Sequence, residues 1–373
     1  MRNKRILITL TYYLPNISGL TNYVEFLAKN LASRGLEIKI LCSRHLKTQK
    51  NYQEKDHIQI FRENIQLRIG RGALMFFYPW KAWKLVGESD IVNPHLPQLE
   101  SIIVAIFAKL RRKQLIVTYH SEIPFNQNIL NNILAILLQI NHFFVLLLAD
   151  QIVTNSEDYA KHSAILHFFS RKLNFIFPPA YNPYLKWQFR NEIQKSLRIG
   201  FVGRIIKDKG IDTILAAIPL LKEKFTDFKF ILAGPQQEVI GGHYDQDLQA
   251  KLEKNSHYLE ITGKLSDSAL AEFYQSLDLF VFPSINRLES FGMAQIEAML
   301  SGVPVVASDL PGVRVPVQVT QMGVLFKPGS AADLVDKILY VVNNYQNIIE
   351  NYPKVKKNFS NSKFIDEYIN EIF

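Results

Sequence analysis

The sequence predicts an α/β protein made of two doubly wound halves, and three observations carry that expectation. Short apolar or β-branched runs alternate with helical patterns along the chain, which implies mostly parallel sheets covered on both faces. The alternation pauses once, in the polar, proline-bearing stretch PPAYNPYLKWQFRNEIQKS, and then restarts. The length, 373 residues, exceeds the usual size of one domain.

In the first half the order is RILITL, the helical TNYVEFLAKNLASRG, then LEIKILC, DIVNP, QLIVTYH, DQIVTNS and LNFIF. The N-terminal MRNKRILITLTYYLP has only five apolar-leaning residues after its basic start, so it reads as a first strand and not as a signal peptide. In the second half LRIGFVGR, the helical GIDTILAAIPLLKEK, FKFILAG, YLEITG, DLFVFP and VPVVAS follow. The expected domains are 1–182 and 183–350. A polar helical tail, 351–373, follows and is expected to be able to pack back on the first domain.

Hydrophobic residues at 48% and charged residues at 21% describe a soluble globular chain and exclude disorder. The one cysteine, Cys42, closes an apolar run, so it reads as a structural thiol in a reducing compartment; a disulfide or a cysteine metal site within one chain is excluded. Charge is lopsided: residues 1–180 hold 22 basic against 12 acidic residues, while 181–373 hold 21 against 22. An excess confined to one half points to an anionic membrane surface, a nucleic acid or an acidic acceptor, or to a merely solvated face.

In open α/β sheets ligands bind beyond the carboxyl ends of the strands, so chemistry is sought in the loops there. The stretch ESFGMAQIE sets Glu289 and Glu297 eight positions apart at the start of a helix, about 2.2 turns and roughly 12 Å if both face one way. That is too far to share a proton and suits two points of one extended ligand. In GFVGRIIKDKG, Gly203 and Arg204 end a strand and Lys209 precedes a helix. These cations beside helix N-terminal amides suit a diphosphate, although an ordinary surface loop reads the same way. ISGLTNY puts Gly19 where a strand hands over to a helix, as a close approach to phosphate or sugar or as a plain tight turn. His120 ends QLIVTYH, placed either to meet a substrate hydroxyl or as a loop histidine.

Taken together, ESFGMAQIEAMLSGVPVVA resembles the E-x7-E signature of the retaining nucleotide-sugar glycosyltransferases of family 4. Supporting matches, in the family's order from residue 6 to about 330, are Gly203-Arg204 with Lys209-Gly210, Thr262-Gly263 ahead of a helix, DLFVFPS, the Gly19 loop and His120. The resemblance implies a GT-B fold, two Rossmann-like domains facing a central cleft, with the acceptor side first and the donor side second. It implies that Arg204 and Lys209 hold the donor diphosphate, that Glu297 takes the ribose hydroxyls and that Glu289 meets hydroxyls of the transferred sugar. Gly203 lies in the same diphosphate loop. The amides of Phe291, Gly292 and Met293 would face sugar and phosphate, Leu265 would lie where a backbone group reads the nucleobase, and His120 would lie beside the transferred sugar. One departure is Ser18-Gly19, where the family often has Gly-Gly. The implied reaction is retaining transfer from a UDP- or GDP-sugar to a glycan or lipid-linked acceptor, with cations and helix dipole in place of a metal and no further cofactor.

The first half also suggests a membrane surface. ALMFFYPWKAWKLV reads as one helix with the tryptophan and lysine of an interfacial segment, and KLRRK adds four charges. Residues 129–149 are apolar at 16 of 21 positions, leaving open a span, a surface contact or a buried helix. Asn128, Asn131, Asn132, Gln139 and His142 make a polar stripe on a helical wheel that argues against the span. The expected place is cytoplasmic, peripheral at the inner face of the membrane. A non-catalytic subunit of the same fold and a basic membrane-surface binder are the alternatives. A nucleic-acid binder is suggested by charge alone and has no recognisable module.

Overall fold

Ile6, Leu7 and Ile8, all fully buried, make β1 (Arg5–Thr9) the spine of a first sheet. In a computed structural model, which describes residues 4–69, 72–123, 129–188, 190, 192–235, 246–286 and 289–373, the chain divides into two units. The first comprises Met1–Tyr181 and Asn361–Phe373, the second Asn182–Ser360.

In the first unit β1 lies between β2 (Glu37–Arg44) and the later strand of residues Ile91–Leu96. β3 (Tyr52–Lys55) runs antiparallel to β4 (Ile58–Asn64) at one edge, and β5 (Leu67–Ile69) with β6 (Gly72–Leu74) forms a separate hairpin. With β7 (Ile91–Leu96), β8 (Gln114–Tyr119), β9 (Gln151–Thr154) and β10 (Leu173–Phe175), the order is β10-β9-β8-β7-β1-β2-β4-β3. Helices α1 (Gly19–Ser33), α2 (Tyr78–Gly87), α3 (Ser101–Leu110), α4 (Ile129–Leu148) and α5 (Glu157–His162) cover it. The two faces have separate cores. Leu85, Ala105 and Val145 from α2, α3 and α4 pack on one, and Val24 and Leu27 from α1 on the other.

The second unit is an all-parallel sheet: β11 (Leu197–Val202), β12 (Phe228–Ala233), β13 (Leu259–Gly263), β14 (Leu279–Phe282), β15 (Val305–Ser308) and β16 (Gly323–Phe326). Their order is β13-β12-β11-β14-β15-β16. Its helices are α6 (Ile211–Lys222), α7 (Gln246–Lys254), α8 (Asp267–Gln275), α9 (Met293–Leu300), α10 (Val315–Thr320), α11 (Ala331–Asn343), α12 (Tyr345–Ile349) and α13 (Tyr352–Phe359). Each unit is Rossmann-like, as expected of both halves.

Two local expectations change. ALMFFYPWKAWKLV is not one helix: Ala73 and Leu74 sit in the β5–β6 hairpin, and the helix starts only at Tyr78, with Pro79 in its first turn. A proline there needs no amide partner, which fixes the start. Residues 129–148 are not a buried helix. Ile133, Leu137, Ile140 and Phe144 are about half exposed, while the polar stripe turns inward, with His142 buried and Asn132 and Gln139 half-buried. Asn131 is exposed, and Asn128 lies outside the described residues.

The tail is shared between the units. Ser360, with ψ 139, breaks the helix after α13. Val355 and Phe359 are buried in the second unit, whereas α14 (Asn361–Glu367) and the turn Tyr368–Ile372 pack in the first, where the Tyr368 and Tyr23 hydroxyls lie 2.7 Å apart.

The ends of β11, β12 and β13 are crowded backbone to backbone. Gly234 has φ 145, and a Cβ there would lie 1.9 Å from the Gly203 carbonyl oxygen. Gly234→Ala is therefore expected to cost about 3 kcal/mol in strain and overpacking. Urea unfolding checks this, and a loss below about 1 kcal/mol would show that the strand ends can spread.

Candidate functional site

Because β11 and β14 are hydrogen-bonded neighbours, the loops at their carboxyl ends emerge side by side. Gly210, with φ 79, lets them touch: a Cβ there would lie 1.8 Å from the Pro283 carbonyl oxygen. The Ile285 amide and the Ser284 hydroxyl both donate to the Asp208 carbonyl, at 3.2 and 3.4 Å. This seam sets the Lys209 ammonium on the Glu289 carboxylate as a half-buried ion pair. Gly203 and Arg204 begin the same loop, directly after β11.

Four residues beyond Glu289, α9 begins at Met293 with Gly292 as its N-cap in the left-handed region, φ 81. A Cβ on Gly292 would lie 2.6 Å from Gln295 Nε2 and 2.8 Å from the Phe282 ring, so this turn takes glycine only. Gln295 is fully buried, and its Nε2 donates to the carbonyls of Phe291 (2.9 Å) and Val313 (2.8 Å). It therefore pins the Phe291–Met293 turn from beneath. The sequence reading missed it; a glutamine one turn into an apolar helix was the available signal. Leu265, half-buried, lies between β13 and α8 on the same side of the sheet.

The two glutamates differ more than their spacing suggests. Glu297, in the second turn of α9, is 4% exposed and accepts a hydrogen bond from the Tyr274 hydroxyl at 2.9 Å. Burial pushes its carboxyl up to about 7, against the lowering pull of that hydroxyl. Glu289 has a cation for partner and Glu297 a phenol, so they are not one shared pair.

In the first unit Gly19 is the first residue of α1, after Ser18, whose hydroxyl caps the helix by accepting from the Thr21 amide at 3.1 Å. A Cβ on Gly19 would meet nothing within 4 Å, so the fold itself does not require glycine there. His120 follows β8, its amide bonded to the Leu96 carbonyl, and Tyr23 of α1 packs edge-on against its ring at 4.8 Å.

His120 also ends a buried chain that the sequence did not reveal. Asn93 Nδ2 donates to the Ile116 carbonyl (2.7 Å) and to Thr118 Oγ1 (3.0 Å), which leaves its Oδ1 to accept from His95 Nε2 at 2.9 Å. His95 is fully buried and held neutral by burial, so its Nδ1 is then the acceptor facing His120 Nε2 at 2.8 Å. It follows that His120, its own pKa pushed down to about 3 by burial, carries its proton on Nε2 and offers Nδ1 as an acceptor.

The chain has one Asp-x-Asp, Asp245-Gln246-Asp247. Asp245 lies outside the described residues, and Asp247 is paired with Lys251 (3.0 Å) and Lys207 (3.6 Å).

Burial lowers His95, His142 (to about 4) and His120 (to about 3), while Glu100 and Glu297 are both raised to about 7. As pH falls below about 6.5, the unfolded chain gains protons on the three histidines that the native state refuses, which destabilises the fold. The native state meanwhile keeps protons on the two carboxyls that the unfolded chain loses above about 4.5, which offsets two of the three. Stability is expected to fall gently between about pH 6.5 and 4.5, by about 1.4 kcal/mol per pH unit, and more steeply below. With Glu100→Gln and Glu297→Gln together, the steep fall should begin near pH 6.5, at about 4 kcal/mol per pH unit. Denaturant midpoints across pH test this, and identical profiles for both proteins would contradict it.

Two family models tile the chain: "Glycosyltransferase Family 4" over residues 17–191 and "Glycosyl transferases group 1" over residues 185–361. The chain is 26% identical to the uncharacterized glycosyltransferase MJ1178 of Methanocaldococcus jannaschii, across 97% of this chain and 95% of that protein. It is 30% identical to the phosphatidyl-myo-inositol mannosyltransferase of Mycobacterium leprae, but over only 39% of this chain and 37% of that one. Among solved structures, HepE of Anabaena in complex with UDP superposes with a TM-score of 0.73 at 18% identity, covering 98% of each chain. WaaG, a glycosyltransferase involved in lipopolysaccharide biosynthesis, does so at 0.67 and 15%, covering 97% of this chain and 98% of that one.

Proposed function

The chain belongs to the family 4 glycosyltransferases of GT-B fold, and from that premise we propose that it is a retaining enzyme that moves a sugar from a UDP- or GDP-sugar to a glycan or lipid-linked acceptor. The observation that carries this reading is the Lys209–Glu289 pair, set between the end of β11 and the start of α9. A donor diphosphate competes for the Lys209 ammonium, helped by Arg204 of the same loop, and so frees the Glu289 carboxylate to accept from hydroxyls of the transferred sugar. The amides of Phe291, Gly292 and Met293, held by Gln295, meet sugar and phosphate at the positive end of α9. Glu297 takes the ribose hydroxyls and Leu265 lies at the base. His120 Nδ1 accepts from a hydroxyl of the sugar, and Gly19 leaves room for phosphate.

In the step itself the bond from the anomeric carbon to the diphosphate oxygen breaks and a bond from the acceptor oxygen to that carbon forms on the same face. The acceptor's proton passes to the departing phosphate. The two cations and the helix dipole carry the developing charge, a role that needs no metal ion. The solved structure with UDP and the relative named as a phosphatidyl-myo-inositol mannosyltransferase support a nucleotide-sugar donor and an acceptor in glycan or glycolipid synthesis; the cytoplasmic face of the membrane is the place we propose for it.

A panel of nucleotide sugars, scored by thermal shift and by slow donor hydrolysis, identifies the donor. With that donor, Arg204→Ala combined with Lys209→Ala should lower kcat/KM by at least about a thousandfold, from several kcal/mol of lost charge stabilisation. Unchanged kinetics would remove the diphosphate assignment. Glu289→Ala should mainly lower kcat and Glu297→Ala mainly raise the donor's KM, and the reverse pattern would exchange their roles.

A further inference from the structure

The helix layer α2–α3–α4 carries an outer face that the catalytic reading does not use. On α4 the residues Ile133, Ile136, Leu137, Ile140, Phe144 and Leu147 are each 47–57% exposed, and at 100° per residue they fall on one side, opposite the buried Ala135, His142, Val145 and Leu146. The helix is long and apolar enough to cross a membrane by length and composition, yet only 22% of that window is buried. It is nevertheless fixed to α3 and to the loop before it. Asn141 Nδ2 donates to the Leu99 carbonyl at 3.0 Å, its Oδ1 accepts from Ser101 of α3 at 3.0 Å, and His142 Nε2 accepts from the Gln98 amide.

The two neighbouring helices repeat the pattern. Leu110 of α3 is 67% exposed opposite buried Val104, Ala105 and Ala108, and Trp80 of α2 is 82% exposed opposite buried Ala82 and Leu85. All three inner faces enter the same core on one side of the sheet, so the three outer faces belong to one layer. Trp83 joins two of them, packing on Phe107 at 5.0 Å under the Arg111 guanidinium at 3.9 Å. Cations accompany the apolar surface: Lys84 beside the tryptophans, and Arg111, Arg112 and Lys113 at the end of α3 next to Leu110. These belong to the half of the chain with 22 basic against 12 acidic residues.

We infer that this face docks on an anionic lipid bilayer, with α4 lying in the plane of the surface, its apolar side in the acyl boundary and the cations at the headgroups. Exposed apolar side chains and cations on one face are the two signals that stable, reversible bilayer binding takes, and tryptophan and lysine sit at its headgroup level. A second copy of the chain would bury the apolar residues but would set the Arg111–Lys113 cluster against itself, which costs energy. The inference deepens the proposal of a membrane-proximal acceptor and rests on it for its purpose.

The full chain is sedimented with vesicles of phosphatidylcholine alone and of phosphatidylcholine with phosphatidylglycerol, at low and high salt. Binding to the anionic vesicles is expected, reduced but not abolished by salt. Ile140→Ser, Phe144→Ser and Leu147→Ser together should weaken it by at least about tenfold. Arg111→Ser with Arg112→Ser should remove the preference for anionic lipid. Donor hydrolysis should be unchanged in both variants, which confirms their folding and keeps failure of this inference separate from failure of the enzymatic reading. Absence of wild-type binding, or triple-variant binding equal to wild type, overturns the inference. So does a wild-type dimer in sedimentation velocity that the triple variant converts to a monomer, since the face would then join two copies.

Discussion

Contact between the loops after β11 and β14 is the constraint on which the site depends. A single left-handed residue, Gly210, allows it, because any side chain there would occupy the space of the Pro283 carbonyl. With that approach made, Asp208 is tied to Ser284 and Ile285 through its backbone, and Lys209 is delivered to Glu289, a carboxylate 80 residues away in sequence. A parallel sheet supplies the geometry, since adjacent strands release their loops on the same edge.

Within the second unit, buried side chains keep that edge rigid. Gln295 gives its amide to two carbonyls of neighbouring loops and thereby holds the turn that opens α9. In the first unit the same job falls to side chains of a strand: Asn93 and His95 on β7 relay a donor direction to His120 and so decide which ring nitrogen is left to accept. In both units, then, a buried amide side chain fixes the orientation of a group just beyond the carboxyl ends of the strands. Such groups are costly to bury; Asn93 is bonded through both its amide atoms, whereas Gln295 is bonded through Nε2 and its Oε1 is buried without a partner.

Much of this was legible in the sequence. The strands with dense β-branched or apolar runs, such as QLIVTYH and DLFVFP, form as expected because each is buried on both faces. β4 was missed although Ile58 and Ile60 alternate with Gln59, since the run is short and ends in polar FREN; parallel pairing with β2 decides it. α2 is shorter than its aromatic run suggests, because aromatic residues look alike in a helix and in the approach to one, and Pro79 sets the start at Tyr78. Among the candidate site residues, the glycines and charges of unit two are local signals that a strand-to-helix loop displays. His95, Gln295 and Tyr274 act through partners distant in sequence, and no spacing announces them. The polar stripe of α4 is legible in the sequence, but at His142 it faces inward: the loop between β7 and α3 offers the Gln98 amide, a partner that a helical wheel does not display.

A Lys209 ammonium shared between Glu289 and an incoming diphosphate has a direct thermodynamic signature. Removing the competing carboxylate must strengthen the diphosphate's hold on the lysine while depriving the sugar of its acceptor. Titration calorimetry of UDP and GDP against the wild-type protein and Glu289→Gln measures the first part, and transfer rates measure the second. Tighter nucleotide binding, by roughly threefold to tenfold for a half-buried pair, together with slower transfer is the predicted result. Weaker or unchanged nucleotide binding with undiminished transfer would contradict it.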